Sequence, residues 1–271
     1  MTIFNLAGRR ALVTGASSGV GEATARLLAT HGVGVVIAAR RADRLTALAE
    51  EIGAHAIPID LAEPGAPQRL IEQATAALGG LDILINNAGA HHRGDFADQH
   101  VDDLATMIDV NLRAPLVLSR LALPALEQSG AGTIVNVGSV AGRMPVPGSA
   151  TYSASKAGLR ALTYALAEEF ADRAVSISVV SPGPIATDFI LSDIDAVTDL
   201  TFSQPMSTPE QIADDILACI IDGKTERTRP ASTRFMTTMG YLFPAIPRLL
   251  RPALAAKGRR AKARYRQGVS S

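Results

Sequence analysis

The sequence predicts an α/β protein: a doubly wound parallel sheet between two layers of helices, three layers (α/β/α) in a single domain. Two observations carry this. Short aliphatic runs alternate with helix-period segments along most of the chain, as expected of strands buried on both faces and joined by crossover helices. The 271 residues are 47% hydrophobic, with no Trp and few other aromatics. That supports one substantial core built from Ala, Val, Leu and Ile, and no second domain is required.

The first strand is ALVT (11–14), followed by a glycine turn and a helix through about residue 31. VGVVIAA (33–39) precedes RRADRLTALAEEI, whose Leu45, Leu48 and Ile52 share one helical face. AHAIPID (54–60) leads to a helix over about 64–78, and LDILINN (81–87) ends in Ala88-Gly89. A long helix over about 101–128 carries Asn111 inside it. GTIVNVGS (132–139) is the fifth strand, and a Pro/Gly-rich loop then leads to a helix opening near Tyr152. VSISVVS (175–181) is the sixth, stopped by Pro-Gly-Pro. Right-handed crossovers place the strand C-termini on one edge, where ligands bind. Residues 184–208 show no clean period, and a mobile flap is expected there.

Formal net charge is zero, so nothing in the overall charge points to nucleic acid. No apolar run is long enough for a signal peptide near the start or a membrane span elsewhere, so a cytoplasmic location is expected. The single cysteine, Cys219, excludes an intrachain disulfide. It shares an apolar helical face with Ile212 and Ile216 and reads as a core residue. Charge is unevenly placed. Residues 224–271 hold twelve Lys or Arg and one acid, Glu226, which makes this segment +11 and leaves residues 1–223 at −11. The chain is accordingly divided into an α/β domain over 1–223 and a basic C-terminal extension over 224–271. Pro244, Pro247 and Pro252 argue against one continuous helix across the apolar part of the extension, and a solvated, partly disordered end is expected over 257–271. Three readings of the extension stay open: folding over the substrate mouth, packing on a partner subunit, or weak contact with an anionic membrane surface.

The segment TGASSGVG (14–21) joins the first strand to the first helix. Gly15, Gly19 and Gly21 permit a tight turn and close approach of a ligand, and Ser17 and Ser18 add hydroxyl donors. The helix N-terminus, with Val20 in its first turn, offers N–H groups to a pyrophosphate. The second strand ends in Ala39-Arg40-Arg41. A carboxylate there would hold the ribose 2′-hydroxyl of NAD, whereas arginines pair with the 2′-phosphate of NADP(H), which is the cofactor expected.

Tyr152 and Lys156 lie one helical turn apart, so a phenol and an ammonium share a face. Hydride delivery to a carbonyl creates an alkoxide that needs a proton. The phenol, ordinarily near pKa 10, would be lowered by a nearby cation. With the glycine turn, Asp60-Leu61, Asn86-Asn87-Ala88-Gly89, Asn111, Ser139 and Pro182-Gly183, the chain resembles the short-chain dehydrogenase/reductase family over roughly residues 8–223. Its TGxxxGxG spacing is similar to that of the compact, single-domain subgroup. The resemblance implies a Rossmann-like fold and four catalytic positions. Tyr152 is the acid or base, Lys156 tunes it and holds the nicotinamide ribose, Ser139 orients the substrate oxygen, and Asn111 holds a relay water. It implies further that Asp60 and Leu61 border the adenine, and that Asn87, Ala88 and Gly89 pack beneath its ribose. Pro182, Gly183, Ile185 and Thr187 would close on the nicotinamide.

His91 and His92 follow the fourth strand and could line the pocket mouth, although two loop histidines are more often solvated. No metal site is expected, because further ligands at suitable spacing are missing. Arg93 and Arg143 are candidates for an anionic substrate group. Met144, Val146 and Pro147, with Phe189, Ile190 and Leu191 from the flap, suggest an apolar or mixed substrate. The expected function is NADPH-dependent interconversion of a ketone or aldehyde and a secondary alcohol. The alternatives are an NADP-dependent alcohol or hydroxysteroid dehydrogenase working oxidatively, and a non-catalytic NADP(H)-binding redox sensor. The resemblance also implies a homodimer or homotetramer, through the helices over 101–128 and 151–171.

Overall fold

A computed structural model describes residues 6–191 and 194–266 of the chain. β1 (Arg10–Thr14) is followed by α1 (Gly19–Thr30), β2 (Gly34–Ala39) by α2 (Ala42–Ile52), and β3 (His55–Pro58) by α3 (Ala66–Leu78). β4 (Ile83–Asn86) leads to α4 (Val101–Ile108) and α5 (Ala114–Gln128), and β5 (Gly132–Val137) leads to α6 (Ala150–Glu169). After β6 (Val175–Pro182) come α7 (Asp188–Leu191), α8 (Asp199–Phe202) and α9 (Pro209–Asp222). The chain continues through β7 (Glu226–Arg229), α10 (Ser232–Leu242) and α11 (Ala245–Arg266).

The strands form one parallel sheet in the order β3-β2-β1-β4-β5-β6-β7. The order reverses between β1 and β4, and this switch point opens a crevice at the strand C-termini. Alternate strand residues feed opposite helical layers. Val13, Ile37 and Ile85 pack with Leu28 of α1 and with Ile212, Ile216 and Cys219 of α9. Leu12, Val36 and Leu84 pack on the other face with Leu70 of α3 and Leu118 and Leu126 of α5. Cys219 is fully buried, and burial pushes its thiol up to about 11, so it serves as a small core residue rather than a nucleophile.

Four expectations are corrected. The helix over 101–128 is interrupted by a π-helical turn at Asp109–Arg113, which includes Asn111. The sheet does not end before residue 223: β7 pairs with β6, from Val179 opposite Glu226 to Pro182 opposite Arg229. Its sequence, ERTR, is too polar to signal a strand. Residues 184–208 carry two short helices and a satellite core of Ile190, Val197 and Phe202 rather than a flap without structure of its own. The extension is helical through Arg266. Pro247 falls in the first turn of α11, where an N–H has no intrahelical acceptor, and Pro252 lies inside the helix on an exposed face, where water can serve the carbonyl it leaves unpaired.

α11 is held down by specific contacts. Gly258 lies so close to Asp199 that a Cβ would sit 1.7 Å from its carbonyl oxygen. Lys262 donates to the carbonyls of Asp195 (3.1 Å) and Val197 (2.7 Å), and Tyr265 packs on Phe202 at 5.8 Å. Of the three readings of the extension, folding over the cleft mouth is therefore realised by α11 on the flap.

Candidate active site

The β1–α1 turn is set by glycine. Gly15 and Gly19 adopt the left-handed conformation, with φ of 67° and 58°, which costs a residue with a Cβ. A Cβ at Gly15 would lie 2.7 Å from the Cα of Ala88, and one at Gly21 2.4 Å from the Gly15 carbonyl oxygen. The turn thus lies flat on the end of β4. Thr14, unremarked in the sequence, fastens it there. Its hydroxyl donates to the Ile85 carbonyl (3.1 Å) and accepts from the N–H groups of Asn87 (3.0 Å) and Ala88 (3.1 Å). The Asn87 amide returns two bonds to the carbonyls of Thr14 (2.8 Å) and Gly15 (3.1 Å). Ser18 precedes α1 in extended backbone and makes no side-chain cap, so the N–H groups of the first turn suit an anion.

Arg41 donates to the hydroxyls of Ser17 (3.1 Å) and Ser18. Arg40 is exposed and stands 3.9 Å from Asp60, whose carboxylate accepts from the Ala62 N–H at 3.0 Å. Leu61 is buried.

At the other end of the crevice, Ser139 starts the loop after β5. Its Oγ accepts the Ala141 N–H at 3.1 Å, and its side chain shares the cleft wall with Tyr152. Gly142 lets that loop rest on α6: a Cβ there would lie 2.6 Å from the Lys156 backbone. Lys156 is buried and donates from Nζ to the Val137 carbonyl at 2.8 Å, with Nζ 5.9 Å from the centre of the Tyr152 ring. Burial lowers Lys156 to about 8. Burial pushes the Tyr152 phenol above its ordinary value, against the opposing effects of the Ser139 hydroxyl and the Arg93 charge. This reverses the direction expected from the sequence. The ammonium is directed at a backbone carbonyl, and desolvation dominates at the phenol.

Asn111 is fully buried in the π-helical turn. Its Oδ1 accepts from the Ala90 N–H (2.8 Å), and its Nδ2 donates to the Ala90 carbonyl (2.9 Å) and Ser155 Oγ (3.1 Å). The amide pins the loop after β4 behind Lys156, so its own polar atoms are committed there.

His91 lines the cleft, and its stacking partner was not readable from local pattern. It is not a solvated loop residue: its ring stacks on Tyr152 at 4.0 Å between centroids and 16° between planes, and Nε2 lies 3.0 Å from Ser149 Oγ. Burial, with the nearby cations Arg93, His92 and Lys156, lowers it to about 3, so the imidazole is neutral at physiological pH. Arg93 lies over the Phe189 ring at 5.3 Å and donates to its carbonyl at 2.9 Å, which ties the flap to this loop. Arg143 does not face the cleft as an anion receptor; it bonds the buried Glu226 and the hydroxyls of Thr237 and Thr238 (both 2.9 Å).

One cleft of about 810 Å³ joins the two ends. Its walls include Gly15, Ser18, Gly19, Val20, Asn87 and Gly89 at one end, and Ser139, Tyr152 and Lys156 at the other. Pro182, Gly183, Ile185 and Thr187 also reach it. Ser17, Gly21, Arg40, Arg41, Asp60, Leu61, Ala88 and Asn111 stand outside its lining.

A doubly wound sheet with a glycine turn and a cleft at its switch point defines a class, the dinucleotide-binding α/β proteins. The chain belongs to the short chain dehydrogenase family, whose profile matches residues 9–195. It is 34% identical over 262 residues to the ketoacyl reductase HetN of Nostoc sp., covering 91% of this chain and 89% of that one. It is also 34% identical to an uncharacterized oxidoreductase of Staphylococcus aureus, over 81% of this chain and 94% of the relative. A crystal structure of a short chain dehydrogenase from Burkholderia cenocepacia in complex with NADP superposes with a TM-score of 0.74 at 35% identity, covering 83% of this chain and 97% of that one.

Proposed function

We propose that the protein is an NADPH-dependent oxidoreductase that interconverts a ketone or aldehyde and a secondary alcohol, with Tyr152 as general acid or base. The observation that carries this is the convergence of Ser139, Tyr152 and Lys156, its Nζ 5.9 Å from the Tyr152 ring centre, on the walls of the cleft that holds the glycine turn.

The residues fit a dinucleotide. Gly15 and Gly19 line the cleft with no side chain to obstruct it, and the uncapped start of α1 suits a pyrophosphate. Gly15, Ser17, Ser18, Gly19, Val20 and Gly21 would hold the phosphates. Asn87, Ala88 and Gly89 would border the ribose, with Asp60 and Leu61 at the adenine. Pro182, Gly183, Ile185 and Thr187 would close on the nicotinamide. Arg41, already paired with Ser17 and Ser18, and Arg40 beside it are the groups suited to a 2′-phosphate. The Burkholderia neighbour's complex with NADP agrees with that choice.

When bound, the nicotinamide supplies or accepts the hydride. The chain's own residues handle the oxygen and the proton. The Ser139 hydroxyl orients the substrate oxygen beside the phenol. The Tyr152 hydroxyl, held protonated by its buried setting, donates to that oxygen as negative charge develops. The Lys156 cation stabilises the phenolate left behind, and Asn111 keeps the Ala90 loop in place behind it. Proton transfer by a positioned group contributes roughly 10²–10⁴-fold.

Met144, Val146, Pro147, Phe189 and Ile190 line the cleft, whereas Leu191 does not, which supports an apolar or mixed small-molecule substrate. A ketoacyl compound, the class in the Nostoc relative's name, has the required carbonyl and apolar chain. A cytoplasmic homodimer or homotetramer is part of the same reading, with α4, α5 and α6 as the assembling helices.

A panel of ketones, aldehydes and alcohols, followed by nicotinamide absorbance with both cofactors, tests the proposal. Steady NADPH consumption with an apolar carbonyl, faster than with NADH, is expected. Tight NADPH binding with no turnover on any member would favour a redox sensor instead.

A further inference from the structure

The helical hairpin of α10 and α11 exposes an apolar tip. Tyr241, Leu242, Phe243, Ile246, Leu249 and Leu250 are all exposed large hydrophobics, with Leu249 at 81% of its full surface. Phe235 and Met236 extend the patch along α10 at 71% and 63% exposure. Patches of this kind on a soluble chain mark an interaction surface. The inner face of α11, through Leu254, Gly258, Ala261 and Tyr265, is already used against the flap. The tip therefore points away from the protein's own core.

The two helices themselves carry one sign, and the flap acids beside α11, Asp199 and Asp195, are paired with Arg259 and Arg266. No acidic residue follows Glu226 in the sequence, and Glu226 is itself buried among Arg143 and Arg160. Arg248, Arg251, Lys257, Arg260 and Arg264 are exposed and make no ion pair among the described residues. On α11 the exposed stripe runs from Leu249 and Leu250 to Lys257, Arg260 and Arg264. The apolar end and the cationic end of that stripe are about 12 Å apart along the axis, at 1.5 Å per residue.

We infer that this hairpin docks the protein on an anionic lipid surface, the apolar tip entering the interface and the α11 cations meeting headgroups. Charge decides against a second copy of the chain as the occupant: a two-fold contact would set the same cations against each other, whereas an anionic bilayer neutralises them. Tyr241, Pro244, Pro247, Arg248, Arg251 and Leu254 also line the cleft, so docking would turn the cleft mouth toward the lipid. Among the described residues no helix is long and apolar enough to cross a membrane, which fits lying on the surface rather than spanning it. The inference stands independently of the oxidoreductase reading, because it concerns the outer face of the hairpin and is tested without turnover.

The test is co-sedimentation of the full chain with phosphatidylcholine vesicles, with and without phosphatidylglycerol, at low and high salt. Its mass in solution is measured alongside. Binding to the anionic vesicles is expected, weakened by salt. Leu249→Glu with Leu250→Glu should abolish it. Lys257→Glu, Arg260→Glu and Arg264→Glu should each weaken it, roughly fivefold per cation removed. All five positions are exposed, and circular dichroism checks that each variant is folded. No wild-type sedimentation with anionic vesicles would overturn the inference. Unchanged sedimentation of the double Leu variant would overturn it too, as would loss of a dimer in that variant without any wild-type vesicle binding.

Discussion

At the residue scale, Tyr152 is governed by what surrounds its ring. Ser139 stands with it on the cleft wall, and His91 covers one face of the phenol at 4.0 Å. The tyrosine–lysine pair was legible because its spacing is local: four residues on a helix always bring two side chains together. His91 was not legible, because its partners are Tyr152 and Ser149, the latter 58 residues away in sequence. The same holds for Thr14, whose hydroxyl partners lie more than 70 residues along. Since His91 is neutral and acts by stacking, its loss should loosen the phenol without removing a proton carrier. His91→Ala is expected to lower kcat/KM about tenfold, in line with about 0.5–1.5 kcal/mol for a stacked pair, while His91→Phe, which keeps the stack, stays close to wild type. Equal losses in both variants would assign the residue's importance to the Ser149 hydrogen bond instead.

At the scale of elements, the unexpected piece is β7. A strand reading ERTR carries no hydrophobic signal, and its place is fixed by one buried carboxylate. Glu226 accepts from Arg160 (2.9 and 3.0 Å), Tyr164 (2.8 Å), Ser181 (2.9 Å) and Arg143. Through Arg143 it also reaches α10. Helix α6, the loop after Ser139, the sheet edge and the extension thus share one buried charge. Burial alone would raise its carboxyl; the hydrogen bonds from Arg160, Arg143 and Tyr164 more than reverse this and hold it at about 2. A carboxyl lowered in the fold adds stability that is fully present above its ordinary value of 4.5 and is lost as pH falls from there toward 2. The amount is about 3 kcal/mol. Denaturant unfolding of wild type and Glu226→Gln between pH 7 and pH 3 checks this. The wild type should lose its advantage across the acid range, and at pH 7 the variant should be less stable by about 3–5 kcal/mol, as when one partner of a buried pair is removed. Parallel pH curves for the two proteins would contradict it. Regular strands and crossover helices were readable from aliphatic periodicity. The π-helical turn was not, because Asn111 earns its place through Ala90 and Ser155 rather than through local pattern.

At the scale of the whole molecule, the reversal of strand order between β1 and β4 puts the glycine turn and the Ser139, Tyr152 and Lys156 cluster on one crevice. That arrangement was foreseen from strand–helix alternation, since right-handed crossovers leave few alternatives. Folding of the extension over the cleft was one of three readings, but its helical form was not foreseen, because Pro247 and Pro252 obscured a helix that tertiary packing on α8 sustains. The two ends of the cleft are separable under the proposed function: one would hold the dinucleotide, the other would move the proton. NADPH affinity and turnover measured on the same preparation of Tyr152→Phe test that division most directly. The account predicts affinity within about twofold of wild type and turnover reduced at least about a hundredfold; turnover near the wild-type rate would contradict it.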